Sequence, residues 1–153
     1  MLQRRLAKPL AYVAGMRDVD HVPHAAQLAV NLCRLVAQSI PSYWHQCMPP
    51  AQTAAAIAWA DGAIADALAT LLHFGDSPAA RARIAEACVF LPLNIGGLGF
   101  VRGTQQCVPS FAATFVSVWP ACCAICPALA AAPIVASSPL PTIAAFHSAW
   151  TLL

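Results

Sequence analysis

A chain of 153 residues is long enough for one domain with a real core, and 59% hydrophobic against 9% charged residues leaves too little solvated skin for an ordinary free monomer. The formal net charge of +2 creates no general field for phosphate, and Arg4, Arg5, Lys8, Arg17, Arg34, Arg81, Arg83 and Arg102 never form a long basic run, so charge gives little support to nucleic-acid binding. Every Asp, Glu, Lys and Arg falls between Arg4 and Arg102, so the chain beyond Gly103 carries no ionisable side chain except His147 and its cysteines.

Residues 1–22 read as an N-terminal connector. Arg4, Arg5 and Lys8 open it, but no long apolar run follows before Asp18 and Asp20, so no secretory signal is expected. Asp18, Asp20, His21 and His24 could be weighed as metal ligands; a polar turn leading into a helix accounts for them better. Pro23, followed by Ala25, Ala26, Leu28, Ala29, Leu32, Cys33, Leu35 and Val36, has the three-and-four spacing of one buried helical face and predicts a helix over about residues 23–39. Ser39-Ile40-Pro41 is expected to end it, because proline disfavours helical geometry in the residue before it. Ser42 to Met48 form an aromatic connector, and Pro49-Pro50 opens the next helix.

That helix runs through Ile57, Trp59, Ile64, Leu68, Leu71 and Leu72, with alanine supplying propensity throughout. Asp61 and Asp66 stand five apart, do not share a face closely, and read as solvated helix charges rather than an acid-base pair. Gly75-Asp76-Ser77-Pro78 ends one helix and starts another. Ser77 is its expected N-cap, and Arg81, Arg83 and Glu86 point outward from it up to about Cys88. Next comes Leu91-Pro92-Leu93-Asn94-Ile95-Gly96-Gly97-Leu98-Gly99-Phe100, whose glycines imply a shaped backbone and whose Leu91, Leu93, Ile95, Leu98 and Phe100 are expected to anchor a buried turn. Thr104 to Val118 predict a helix with Val108, Phe111, Ala112, Phe115 and Val116 on its apolar side, closed by Trp119-Pro120. Residues 119–153 form a tail that Pro127, Pro133, Pro139 and Pro141 cut into short pieces, packed on the helical domain of residues 23–118 or on a partner. The fold class is therefore all-α: a single irregular bundle of about five helices with a buried glycine-rich turn.

The motifs for chemistry are sparse. Seven cysteines, an odd set without framework spacing, read as free thiols in a reducing, intracellular compartment, cytoplasm or nucleus. Cys123-Ala-Ile-Cys126-Pro127 has the gap of a redox or zinc knuckle, which Cys107 and His147 could complete, but no second such pair occurs and polar groups to support a metal are missing. Gly96-Gly97-Leu98-Gly99 lacks the lysine and hydroxyl of a P-loop, and no serine sits in a Gly-x-Ser-x-Gly elbow.

Leu91-Pro92 with Gly96-Gly97-Leu98-Gly99-Phe100 resembles the signature just after the polymerase palm in reverse transcriptases of non-LTR retrotransposons. The order of other segments is similar as well: Ser42 to Pro50 with its aromatic and double proline, Ala60-Asp61-Gly62-Ala63-Ile64 in the following helix, and Ala113-Thr114-Phe115-Val116-Ser117 after the signature. The resemblance implies a helical thumb or connector that supports a polymerase whose chemistry lies upstream. The adjacent aspartates that would hold paired metal ions do not occur in this sequence, so no polymerase activity, cofactor or metal is expected of it. Gln46 stands where the family often has arginine. The expected partner is a polymerase-like protein or a second copy, with Arg81, Arg83 and Arg102 as secondary nucleic-acid contacts. The alternative is a small membrane-associated protein that buries its uncharged last third, although the prolines leave no unbroken apolar stretch near twenty residues.

Overall fold

The computed structural model describes residues 2–16, 24–73 and 77–153, together with the backbone but not the side chains of residues 80, 81 and 84–86. The described residues are all-α, with no strand among them. Helix α1 (Leu2–Gly15) occupies most of the span read as a connector, which corrects that expectation. Its Leu2, Leu6, Leu10 and Val13 are buried at steps of four, four and three, while Arg4, Arg5 and Lys8 face solvent. That spacing makes a single stripe, and the stripe packs against the central helix α4 (Pro50–Leu71). Asp18, Asp20 and His21 lie outside the described residues.

Helix α2 (Ala25–Leu32) passes into a π turn at Cys33–Ala37 and then into α3 (Ser39–Cys47), so the helix expected to stop before Pro41 instead continues through it. The local hydrogen bonds explain how. The Gln38 amide donates to Cys33 O at 3.0 Å across the wider turn, and serine hydroxyls serve the carbonyls nearby: Ser39 Oγ donates to Val36 O at 3.0 Å and Ser42 Oγ to Gln38 O at 2.9 Å. Pro41 stands in the first turn of α3, where its missing amide costs no bond within that helix. Ala29, Cys33 and Ala37 form the buried edge of this segment, and burial pushes the Cys33 thiol up to about 12, so it acts as a small hydrophobe.

Helix α4 is the axle of the bundle. Thr53, Ile57, Ala60, Asp61, Ile64, Ala67, Leu68 and Leu71 are buried along it, and it meets α1, α3, α5 (Pro78–Val89) and α6 (Gly103–Ile125). Helix α6 runs through both Pro109 and Pro120, beyond the expected end at Val118. Each proline sits with its ring on an exposed or half-exposed side of the helix, where the carbonyl it leaves without a donor can be hydrated. Phe111 and Ala112 are buried on the apolar side as expected, but Val116 is exposed. Helix α7 (Pro141–Trp150) folds back on α6, and Phe111, Ala112, Phe146 and Ala149 make a small second core beside the main one.

Leu6 is completely buried in the α1 stripe. Replacing Leu6 by alanine should cost about 2–5 kcal/mol in unfolding free energy, read from urea melts followed by circular dichroism, whereas a merely dangling connector would give almost no change.

Candidate functional site

The segment between α5 and α6 doubles back on the end of α5. Leu98, Gly99 and Phe100 amides donate to Cys88 O, Leu91 O and Val89 O at 2.9, 2.8 and 3.1 Å, supplying donors to carbonyls that a helix end leaves unpaired. A short 3-10 turn at Leu93–Ile95 makes the reversal, and the Gly97 amide closes it onto Pro92 O at 3.0 Å. Gly96 and Gly99 adopt φ of 88° and 65°, which side chains resist. Gly97 is required for another reason: a Cβ there would lie 2.1 Å from Leu91 O.

The turn is therefore shaped as expected but anchored differently. Gly97 and Phe100 are buried and Leu98 is half-buried, whereas Leu91, Leu93 and Ile95 project outward, Leu93 at 64% and Ile95 at 62% exposure. Backbone hydrogen bonds along the α5 end hold the loop, so these apolar side chains are left free to face solvent. That corrects the expectation of a turn buried by its own leucines. From the other side, the Arg34 guanidinium on the π turn donates to Leu98 O and sits 5.5 Å from the centre of the Phe100 ring, and Gln38 Nε2 donates to Val101 O at 3.4 Å. Arg34 was legible in the sequence only as one scattered cation.

Where the loop ends, Asp61 begins α6. Its Oδ1 accepts the Gly103 amide at 2.8 Å, and Oδ2 accepts both the Thr104 amide at 3.0 Å and the Thr104 hydroxyl at 2.9 Å. The α6 flanking residue, Arg102, offers no side-chain cap of its own, so a carboxylate carried by α4 does that work across the bundle. The expectation that Asp61 is a solvated helix charge is corrected: it is buried at 8% exposure. Proximity of Asp61 to the apolar stripe was the available signal. Gly103 is also fixed by space, since a Cβ would meet Ile57 Cγ2 at 2.8 Å and the His45 ring at 3.0 Å.

A cavity of about 370 Å³ opens beside this cap, lined by Asp61, Asp66, Ala82, Phe90, Arg102 and Thr104 among others. Arg102 is drawn into it, its guanidinium 4.5 Å from the centre of the Phe90 ring. Arg83 is exposed on α5, and the side chain of Arg81 lies outside the described residues. A larger apolar groove of about 570 Å³ runs between the end of α3, α6 and α7, with Phe115, Val118, Trp119, Cys122, Leu140 and Ile143 on its walls. Aromatic rings stack along it, Phe115 on Trp119 at 4.9 Å and on Phe146 at 4.2 Å.

The cysteines among the described residues are free thiols, with Cys126 exposed and Cys123 half-buried. Among the described residues no three His, Cys, Asp or Glu side chains gather as a metal-binding group. Pro50–Leu71 and Gly103–Ile125 are each long and apolar enough to cross a membrane; the first has 39% of its most apolar stretch buried in the bundle, the second only 11%. Comparison with protein-family models, with curated proteins and with solved structures gives no match.

Asp61→Ala should lower stability by about 1–3 kcal/mol in chemical denaturation, with Asp61→Asn less severe because one acceptor oxygen survives. Gly97→Ala should cost about 3 kcal/mol or more, while Gly62→Ala, in exposed helix with nothing within 4 Å of the new Cβ, should stabilise by about 0.5–1 kcal/mol in the same assay.

Proposed function

We propose that this chain is a non-catalytic helical module, derived from the post-palm region of a reverse transcriptase, that works by packing against a polymerase-like partner or a second copy of itself. The observation that carries this reading is the bareness of α6: an uncharged helix of 23 residues leaves Val116, Val118 and Ile125 exposed, Ile125 at 86%. Val118 and Ile125 share one face of the helix and Val116 stands on the opposite one, and exposed apolar side chains along an uncharged helix mark a place where something else lies. The glycine loop supports the reading by giving α6 a fixed departure from α5, through backbone bonds and the Asp61 cap, so the bare face is presented on a rigid element. Arg83 and Arg102 stand close in sequence to that loop as secondary phosphate contacts.

A second reading has one specific observation in its favour. At about 1.5 Å per residue, Gly103–Ile125 is long enough to cross a hydrocarbon layer of about 30 Å, and little of it is buried. Its first turns are nevertheless tied to Asp61, and Phe111 and Ala112 are enclosed with α7, which favours a protein neighbour over lipid.

Co-expression with a separately encoded reverse-transcriptase palm, followed by gel filtration with light scattering, tests the proposal. The chain should co-elute with the palm or form a concentration-dependent dimer, and Val118→Lys with Ile125→Lys should weaken that association at least about tenfold, equivalent to about 1.4 kcal/mol. A monomer that binds neither would overturn it, and retention in membranes through salt and carbonate washes would select the second reading.

A further inference from the structure

His45 is a buried polar side chain for which the described residues supply no hydrogen-bond partner. It is 2% exposed on α3, and neither Nδ1 nor Nε2 finds a donor or acceptor among the described residues, whereas buried polar groups ordinarily have one. The ring presses on the first turn of α6, within 3.0 Å of where a Gly103 Cβ would stand. The amides of that first turn are donors already engaged, Gly103 and Thr104 by Asp61 and Gln105 and Gln106 by Arg102 O at 3.2 and 3.1 Å, so they offer a buried imidazolium no acceptor.

The charged surroundings can be named element by element. From α4, Asp61 attracts an imidazolium, but both its oxygens are already engaged by Gly103 and Thr104. From the π turn, Arg34 is committed to Leu98 O and the Phe100 ring, and Cys33 is held uncharged by burial. From α1, Arg4, Arg5 and Lys8 are exposed, and α6 brings Gly103 and Cys107 to this side. Burial outweighs the attraction of Asp61 and holds the imidazole below the usual histidine value.

We infer that His45 is a proton-sensitive latch: neutral, it lets α3 close over the start of α6, and protonated, it drives α3 off α6 while Asp61 still ties α6 to α4. The sign follows from the environment. The closed form disfavours the proton, so closure is complete above the free histidine value near 6.5 and weakens as the pH falls below it, by up to about tenfold in the closing equilibrium per pH unit until the closed form itself protonates.

Hydrogen exchange of the intact chain at pH 8 and pH 5, corrected for intrinsic rates, reads this directly. Amides of residues 107–112 should lose at least about tenfold protection at pH 5 relative to amides buried between α1 and α4, and His45→Leu should remove the difference. Should that variant fail to fold, the wild-type His45 Cε1–H resonance decides alone: titration below 6.5 supports the latch. Titration at or above 6.5, or a protection ratio that is the same at both pH values, overturns it.

Discussion

The second half of this protein is placed by one carboxylate. Asp61 leaves the apolar stripe of α4 at the point where the chain returns from the glycine loop, and three donors from Gly103 and Thr104 converge on it. A helix start that caps itself can lie anywhere on a surface. One capped by a distant helix is pinned in position and direction, because moving α6 would strand a buried charge and two amides at once. Gly103 and His45 complete the constraint by leaving no room between the helices.

Upstream, the loop obeys the same logic. Leu91, Leu93 and Ile95 are exposed, so the loop is held by backbone donors returned to the end of α5, by Arg34 reaching in from the π turn, and by Phe100 and Leu98 packed on the main core. Polar groups therefore set the geometry at each junction, while apolar stripes on α1, α4 and α6 supply the cohesion. The division suits a chain so poor in charge, where a few well-placed polar atoms must determine direction.

Much of this was legible in the sequence. Proline and glycine punctuation marked α4, α5 and the glycine loop, and alanine-rich periodicity gave the all-α class. Three features were read wrongly for identifiable reasons. The Leu2, Leu6, Leu10, Val13 stripe was overlooked because basic residues and Pro9 share the segment. Pro41 and Pro120 read as stops, although a π turn carries the chain past the first into a new helical first turn and an exposed ring position accommodates the second. Asp61 could not be seen as a cap, since its partners lie 42 and 43 positions away and only the fold brings them together.

Pro109 and Pro120 are eleven residues apart, almost three whole turns of an α-helix, so both rings stand on one side of α6. Each removes an amide from the same edge, and the strain of both falls in a common direction. Prolines so placed favour a bow over a zigzag, with any hollow on the side away from the rings, which is the side of Phe111 and Phe115 against which Phe146 of α7 packs. The direction in which α6 yields is thus written into the primary structure as a spacing, and changing the interval by two residues would point the two prolines to different sides.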